Sequence, residues 1–286
     1  MRRLAFVLAL LLTACACGRN GSIVVGSKNF TEQVLLGEIA AQQIERKLHL
    51  PVDRRLNLGG TLLTHEAMVA GSIDIYPEYT GTAATAILKQ QASSDPEKVY
   101  LAVKNAYQEK FHLVWLPPLG FNNTFAMVVR TADAQKLRQA NLSAAHARDW
   151  RLGIGFEFLT RPDGLSRLDK VYGLKWNGLP TSMDLGLLYL ALDDKQIDMG
   201  AAASTDAQLS QGRFTVLADD KSAFPPYNAC YVIQQSLLHE RPEIGQALAL
   251  LNGRIGDKTM RDMNRRVDVD HEQVAKVARD FLATQP

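Results

Sequence analysis

The sequence predicts an open α/β fold divided into two lobes. Short β-branched runs alternate with helical periodicities along most of the chain. The alternation breaks twice, at Trp115-Leu116-Pro117-Pro118-Leu119-Gly120 and at Phe224-Pro225-Pro226-Tyr227, and a strand follows each break. The length of 286 residues suits one large domain or two of ordinary size. Two breaks each leading into a strand suggest a chain that crosses twice between lobes, with a ligand cleft between them and a hinge at the crossings.

The elements follow in order. Ile23-Val24-Val25-Gly26 reads as a strand. Leu36, Ala40, Ile44 and Leu48 recur every four residues, so a helix follows, with Asn29 and Glu32 spaced as a capping box. Residues 52–58 alternate as a strand, and Gly59-Gly60-Thr61 turns into a short helix ending near Gly71. Residues 73–76 form a strand, and Pro77-Glu78-Tyr79-Thr80-Gly81-Thr82 reads as a turn opening a helix. Beyond the first break, residues 125–130 and 152–156 read as strands. Residues 163–172 and 183–192 read as helices, and 197–201 as a strand. Met183, Leu187, Leu190 and Leu192 are expected to be helical core. After the second break comes a strand over 228–234 and a helical tail to about Leu282. Such alternation places ligand groups on loops at the strand ends.

Composition excludes several classes. With 47% hydrophobic and 22% charged residues the chain is near the globular average, so disorder, collagen and coiled coil fail as whole-chain answers. The 32 bases and 30 acids are spread without long like-sign runs, which gives no basic face for nucleic acid. No stretch of about 20 apolar residues offers a membrane-crossing helix.

Residues 1–17, MRRLAFVLALLLTACAC, have the layout of a secretory leader: Arg2 and Arg3, then an apolar run from Leu4 to Leu12. Leu12-Thr13-Ala14-Cys15 reads as a lipobox, with Cys15 acylated as the new N-terminus; ordinary cleavage after Ala14 or Ala16 is the alternative. A lipid there would tether the body to a membrane surface. Only Cys230 lies in the body, so no disulfide framework is available to it, despite the oxidising context that export implies.

Motifs for catalysis are missing. The six histidines form neither His-x-His nor His-Glu-x-x-His, so zinc has no local support. No Gly-x-Ser-x-Gly elbow and no phosphate-binding Gly-rich loop ending in Lys-Ser or Lys-Thr occurs. Asp193-Asp194 and Asp219-Asp220 read as solvated turns. Neither a cofactor nor a metal is implied.

Four segments carry a resemblance. They are residues 25–33 (VGSKNFTEQ), 71–82 (GSIDIYPEYTGT), 120–127 (GFNNTFAM) and 161–165 (RPDGL). Together they resemble the substrate-binding proteins of osmoprotectant ABC importers, which take up glycine betaine, choline, carnitine and related quaternary amines. The resemblance extends over nearly all of residues 22–283, including Ser204-Thr205-Asp206 and the segment from Met260 to Asn264. It implies a type II periplasmic-binding-protein fold with two crossover segments as hinge: one lobe from 22–123 with 226–286, the other from 124–225. It also implies an extracytoplasmic binding protein, not an enzyme, monomeric, with an ABC permease and ATPase as partners.

The chemistry of such a ligand explains the residues. A quaternary ammonium has no N–H, so aromatic faces must read its charge, at about 0.5–2 kcal/mol per contact. A betaine carboxylate needs basic or hydroxyl partners. The resemblance places Tyr79, Phe125 and Tyr227 at the aromatic box and Lys28, Thr82 and Arg161 at the carboxylate. Asn123 falls where it helps cradle the methyl groups. Where the family often has a fourth aromatic, this chain has Ala203. The missing wall implies weaker binding of a small betaine or room for a bulkier cation, with Tyr189 or Phe156 as possible replacements. Against ligand contact, the tyrosines are also readable as packed side chains, Lys28 as a partner of Glu32 or Glu78, and Arg161 as a partner of Asp163. Three alternatives stay open: a larger or different cationic or zwitterionic solute, an envelope enzyme on the same fold, and an interaction lipoprotein with an empty cleft.

Overall fold

The computed structural model describes residues 22–285. The leader over 1–17, the lipobox and Cys15 lie outside them. Two five-stranded mixed sheets form the frame. The first has the order β2-β1-β3-β12-β4, from β1 (Ile23–Gly26), β2 (Val52–Arg55), β3 (Ile75–Tyr79), β4 (Leu113–Trp115) and β12 (Ala229–Gln234). The second has the order β11-β5-β10-β7-β9, from β5 (Phe125–Arg130), β7 (Leu152–Ile154), β9 (Thr181–Ser182), β10 (Met199–Ala203) and β11 (Phe214–Leu217). A small ribbon, β6 (Asp149–Trp150) with β8 (Lys175–Trp176), stands apart.

The two sheets repeat one plan. Three parallel strands lie at one side, and one antiparallel strand is inserted beside them: β12 next to β3, and β5 next to β10. Each inserted strand is the one that follows a crossing. β1, β3 and β7 are buried along their whole length, as parallel strands covered on both faces must be.

The crossing segments lie side by side. Asn122 bridges Asn228, Asn123 N donates to Tyr227 O at 3.1 Å, and Tyr227 N donates to the Asn122 side chain at 2.7 Å. The strand pair so formed joins the two sheets and is the crossover arrangement the sequence predicts.

The helix Thr31–Leu48 covers the first sheet. It buries Leu35, Leu36, Ile39, Ala40 and Ile44 against the sheet and the helices Pro242–Ala249 and Val274–Ala283. It differs from expectation at its start. Phe30 is the N-cap and no side chain caps it, because Glu32 turns inward to other partners. The expected turn after Tyr76 is also revised, since β3 runs on through Pro77 to Tyr79. Thr80 N donates to Asn228 O, which sets alternate residues of β3 toward β12 and leaves the Pro77 nitrogen on the other side, where β1 has already ended. The helix that follows widens into a π turn over Ala83–Ile87, a form often found at functional sites. The predicted helix over 183–192 is shorter: a 3-10 turn over Leu185–Leu187, then a helix over Leu188–Asp193. Leu192 is core, whereas Leu187 and Leu190 are exposed and Met183 lines the cavity described next.

Candidate functional site

Sheet topology brings one set of strand ends together. The parallel strands β1, β3, β7 and β10 finish toward the same space, and the inserted strands β5 and β12 begin there. Between the sheets lies a cavity of about 810 Å³. Open α/β sheets place ligands at such carboxyl ends.

All eight residues singled out in the body line this cavity: Lys28, Tyr79, Thr82, Asn123, Phe125, Arg161, Ala203 and Tyr227. Lys28 follows β1, Tyr79 ends β3 and Thr82 lies in the next turn. Asn123 and Tyr227 stand on the paired crossings. Arg161 ends the short helix Phe156–Thr160, and Ala203 ends β10. Tyr189 and Phe156 also line the cavity.

Both buried bases already have a carboxylate. Lys28 Nζ donates to Glu78 Oε1 at 2.5 Å, with both side chains almost fully buried. Arg161 donates to Asp163 from Nε at 2.9 Å and from Nη2 at 2.6 Å, and reaches Thr82 Oγ1 at 3.2 Å. Burial opposes ionisation of Asp163, but Arg161 outweighs it, and with Tyr227 and Thr85 holds the carboxyl below its usual value. The same pairing outweighs burial at Arg161 and holds its guanidinium above the ordinary value. Donors remain: Glu78 takes one of the three protons of Lys28, and Asp163 and Thr82 take two each of the five N–H groups of Arg161, which leaves one.

Phe125, Phe158, Phe224 and Tyr227 form one connected aromatic group, and Tyr79 stacks separately on Phe30 at 6.4 Å. Phe125 stands edge-on to Phe158 at 4.9 Å and to Tyr227 at 5.6 Å, and lies 5.5 Å from Phe224. The Arg161 guanidinium sits 5.1 Å from the Phe125 ring centre, and Lys28 Nζ sits 5.2 Å from that of Tyr79. The Tyr227 hydroxyl donates to Asp163 at 2.6 Å, and the Tyr79 hydroxyl to Glu32 at 2.7 Å. Gly81 permits this closeness: a Cβ there would meet the Tyr227 ring at 2.6 Å and Pro226 O at 2.7 Å.

Ala203 is not left bare. Its amide donates to Asp206 Oδ2 at 3.0 Å, and the Tyr189 hydroxyl donates to the same oxygen at 2.9 Å. Asp206 thus ties the backbone at Ala203 to the Tyr189 hydroxyl, while the Tyr189 ring packs edge-on to Phe214 at 5.0 Å. Burial pushes the Asp206 carboxyl up to about 6, with Glu32 and Asp268 adding to the rise. Burial likewise raises Glu32, which accepts hydrogen bonds from Tyr79, Asn123 and Asn264.

Sequence reasoning passed over Glu32, Asp206, Asn264 and Glu157. Glu32 was hidden behind its capping-box spacing. Asp206 and Asn264 lie within segments of the resemblance, where their inward direction leaves no mark on periodicity. Glu157 spans the cleft, accepting from Thr61 N at 2.6 Å and Thr61 Oγ1 at 3.0 Å. The cavity wall thus holds two bases, each with its own counter-ion, and five acids: Glu32, Glu157, Asp184, Asp206 and Asp268. Its electrostatics favour a cation. Among the described residues no cluster of His, Cys, Asp and Glu is arranged to hold a metal.

Residues 21–284 match the model of a family described as the substrate-binding domain of the ABC-type glycine betaine transport system. The chain belongs to this family. Among its relatives is the ergothioneine transport permease/ergothioneine binding protein EgtU of Helicobacter pylori, 36% identical over 91% of this chain. The chain spans 47% of the length of that protein. The carnitine transport binding protein OpuCC of Listeria monocytogenes is 32% identical, covering 96% of this chain and 92% of its own. A crystal structure of a glycine betaine/carnitine/choline ABC transporter protein superposes with a TM-score of 0.78 at 30% identity, over 92% of this chain and 98% of the other. As a member of this family the chain has the type II binding-protein fold.

Proposed function

We propose that this protein captures a quaternary ammonium solute, of the class of glycine betaine, choline, carnitine or ergothioneine, in the cavity between its sheets. One observation carries the reading: an aromatic wall of Tyr79, Phe125 and Tyr227 faces a cavity whose bases are neutralised and whose remaining charge is acidic. A charge without N–H groups is held by aromatic faces and by that field. The spare donors of Lys28 and Arg161, with Thr82, are the partners for a ligand carboxylate. No reaction is done on the solute.

The two sheet units, 22–123 with 226–286 and 124–225, act as lobes that swing on the paired crossings. The Thr61–Glu157 contact fastens them in the closed form. A closed protein presents its cargo to an ABC permease and its ATPase. The protein works outside the cytoplasm as a monomer, held to a membrane surface through a lipid on Cys15.

A thermal-shift panel of glycine betaine, choline, carnitine, ergothioneine and plain amino acids tests the reading. A ligand at about 100 times its Kd stabilises the fold by about 2.7 kcal/mol. Shifts confined to the quaternary amines support the reading; shifts with plain amino acids alone overturn it.

A further inference from the structure

Behind the Lys28–Glu78 pair lies a cluster of buried polar groups. Tyr76 and Glu78 stand two residues apart on β3, so they share one face of the first sheet, opposite to that of Ile75 and Tyr79. The register sets Cys230 and Val232 of β12 beside them, and Trp115 of β4 beside Val232. The helix Pro96–Phe111 covers this face with Tyr107, whose ring stands edge-on to Trp115 at 5.2 Å and to His65 at 5.4 Å. Tyr76, Glu78 and Tyr107 are each 0% exposed. Glu78 Oε1 is taken: it accepts from Lys28 Nζ at 2.5 Å and from Tyr79 N at 2.7 Å. Among the described residues, Glu78 Oε2 has no partner within hydrogen-bond distance, and neither have the Tyr76 and Tyr107 hydroxyls or Trp115 Nε1.

One unmet acceptor and several unmet donors thus gather on one face. Three of them are electrostatic neighbours. Burial first, then Tyr107 and Glu78, lift the Tyr76 hydroxyl well above its ordinary value, and burial with Glu78 lifts that of Tyr107. His65 adds no charge at neutral pH, because burial and then Lys28 push it down to about 4. A carboxylate oxygen takes hydrogens and gives none, whereas each phenol has one to give. The order that serves all three runs one way: the Tyr107 hydroxyl toward Tyr76, and the Tyr76 hydroxyl toward Glu78 Oε2. The last torsion of a Glu side chain is soft. A carboxylate held at one oxygen turns about it, and the ammonium it holds shifts too; a carboxylate held at both oxygens is fixed.

We propose that Tyr76 and Tyr107 are positioning residues for ligand recognition. Through Glu78 Oε2 they fix the ammonium of Lys28 in the cavity wall, and so favour solutes that carry a carboxylate over those that do not. Both stand outside the cavity wall and act through Glu78. The proposal rests on the reading above, in which Lys28 meets a ligand carboxylate.

Calorimetric titration of glycine betaine and of choline into the purified chain, stripped of ligand, tests it. Tyr76→Phe and Tyr107→Phe each remove one oxygen and keep the ring. Tyr76→Phe is expected to weaken glycine betaine about fivefold or more, and Tyr107→Phe about two- to fivefold, with choline held within about twofold in both. Equal weakening of the two ligands, or no change in either, overturns the proposal and leaves the quaternary-ammonium reading in place, since a role confined to packing does not tell a carboxylate from an alcohol. Lys28→Gln supplies a second arm: adding Tyr76→Phe to it should cost glycine betaine no more than about twofold further. A full further loss overturns the action through Lys28. The comparison of the two ligands decides the matter even where Lys28→Gln fails to fold. Absence of binding of both ligands by the unchanged protein overturns the quaternary-ammonium reading, and this proposal with it.

Discussion

Arg161 grips Asp163 with two parallel hydrogen bonds, at 2.9 and 2.6 Å, inside the wall of the cavity. The pair joins the site to the fold, because Asp163 also accepts from Thr85 at 2.7 Å and from Tyr227 at 2.6 Å. Removing one partner leaves the other charge buried alone, which costs about 3–5 kcal/mol. Arg161→Ala is expected to destabilise the protein by that amount in urea unfolding. The double variant Arg161→Leu with Asp163→Leu should lose less than the single change. The Asp163 carboxyl is held below its unfolded value, so its contribution is present above that value and fades as pH falls through the folded one. The stability deficit of Arg161→Ala should therefore be largest near neutral pH and shrink as pH falls and the Asp163 carboxyl protonates.

Tyr79→Ala and Tyr227→Ala should each weaken a trimethylammonium ligand by about 1–2 kcal/mol, roughly 5- to 30-fold. Tyr227→Phe keeps the ring and should bind far closer to the unchanged protein, although it removes a donor from Asp163. Calorimetry on the three variants separates a recognition role from simple packing, which predicts loss of stability without loss of affinity.

Ala203→Tyr places a ring in the cavity wall beside Asp206, which the Tyr189 hydroxyl also reaches. It should tighten glycine betaine and weaken longer betaines, so that the order of affinities narrows or inverts. Unchanged affinity for both would show that Ala203 does not shape the ligand space.

Asp206 gives a second pH signature. Burial first, then Glu32 and Asp268, hold its carboxyl up at about 6, above the ordinary aspartate value of 3.8. Folding therefore favours the protonated acid. The contribution is fully present below the unfolded value and is lost as pH rises through about 6, at most about 3 kcal/mol. Asp206→Asn has no such titration. Its stability relative to the unchanged protein should rise between pH 4 and pH 7, as read by urea unfolding at each pH.

Much of this was legible in the residues. The period of Leu36, Ala40, Ile44 and Leu48 gave the long helix because its buried face meets a single surface. The two Pro-containing breaks marked the crossings because neither segment can continue a helix or a regular strand. Pro77 misled for a definite reason: its nitrogen faces a place where the neighbouring strand has ended, so no ladder bond is lost. The exposure of Leu187 and Leu190 escaped detection because the buried face of the helix Leu188–Asp193 runs through Leu188, Ala191 and Leu192 instead. The residues that came from the resemblance all line one cavity. The counter-ions Glu78 and Asp163 were visible as neighbours, but which carboxylate each base takes depends on how the sheets meet. The donors gathered on Glu32, from Tyr79, Asn123 and Asn264, come from three distant segments, and no single stretch of sequence shows them together.

The central claim is that this cavity reads a positive charge through aromatic faces and an acidic field. The most direct test compares choline with its neutral isostere, in which carbon replaces the quaternary nitrogen, by calorimetric titration of the ligand-stripped protein. Shape and apolar surface are the same in both. The account predicts saturable binding of choline at one site and at least about tenfold weaker binding of the isostere. Equal affinities would contradict it, because the cavity would then be reading shape and apolar surface without reading charge.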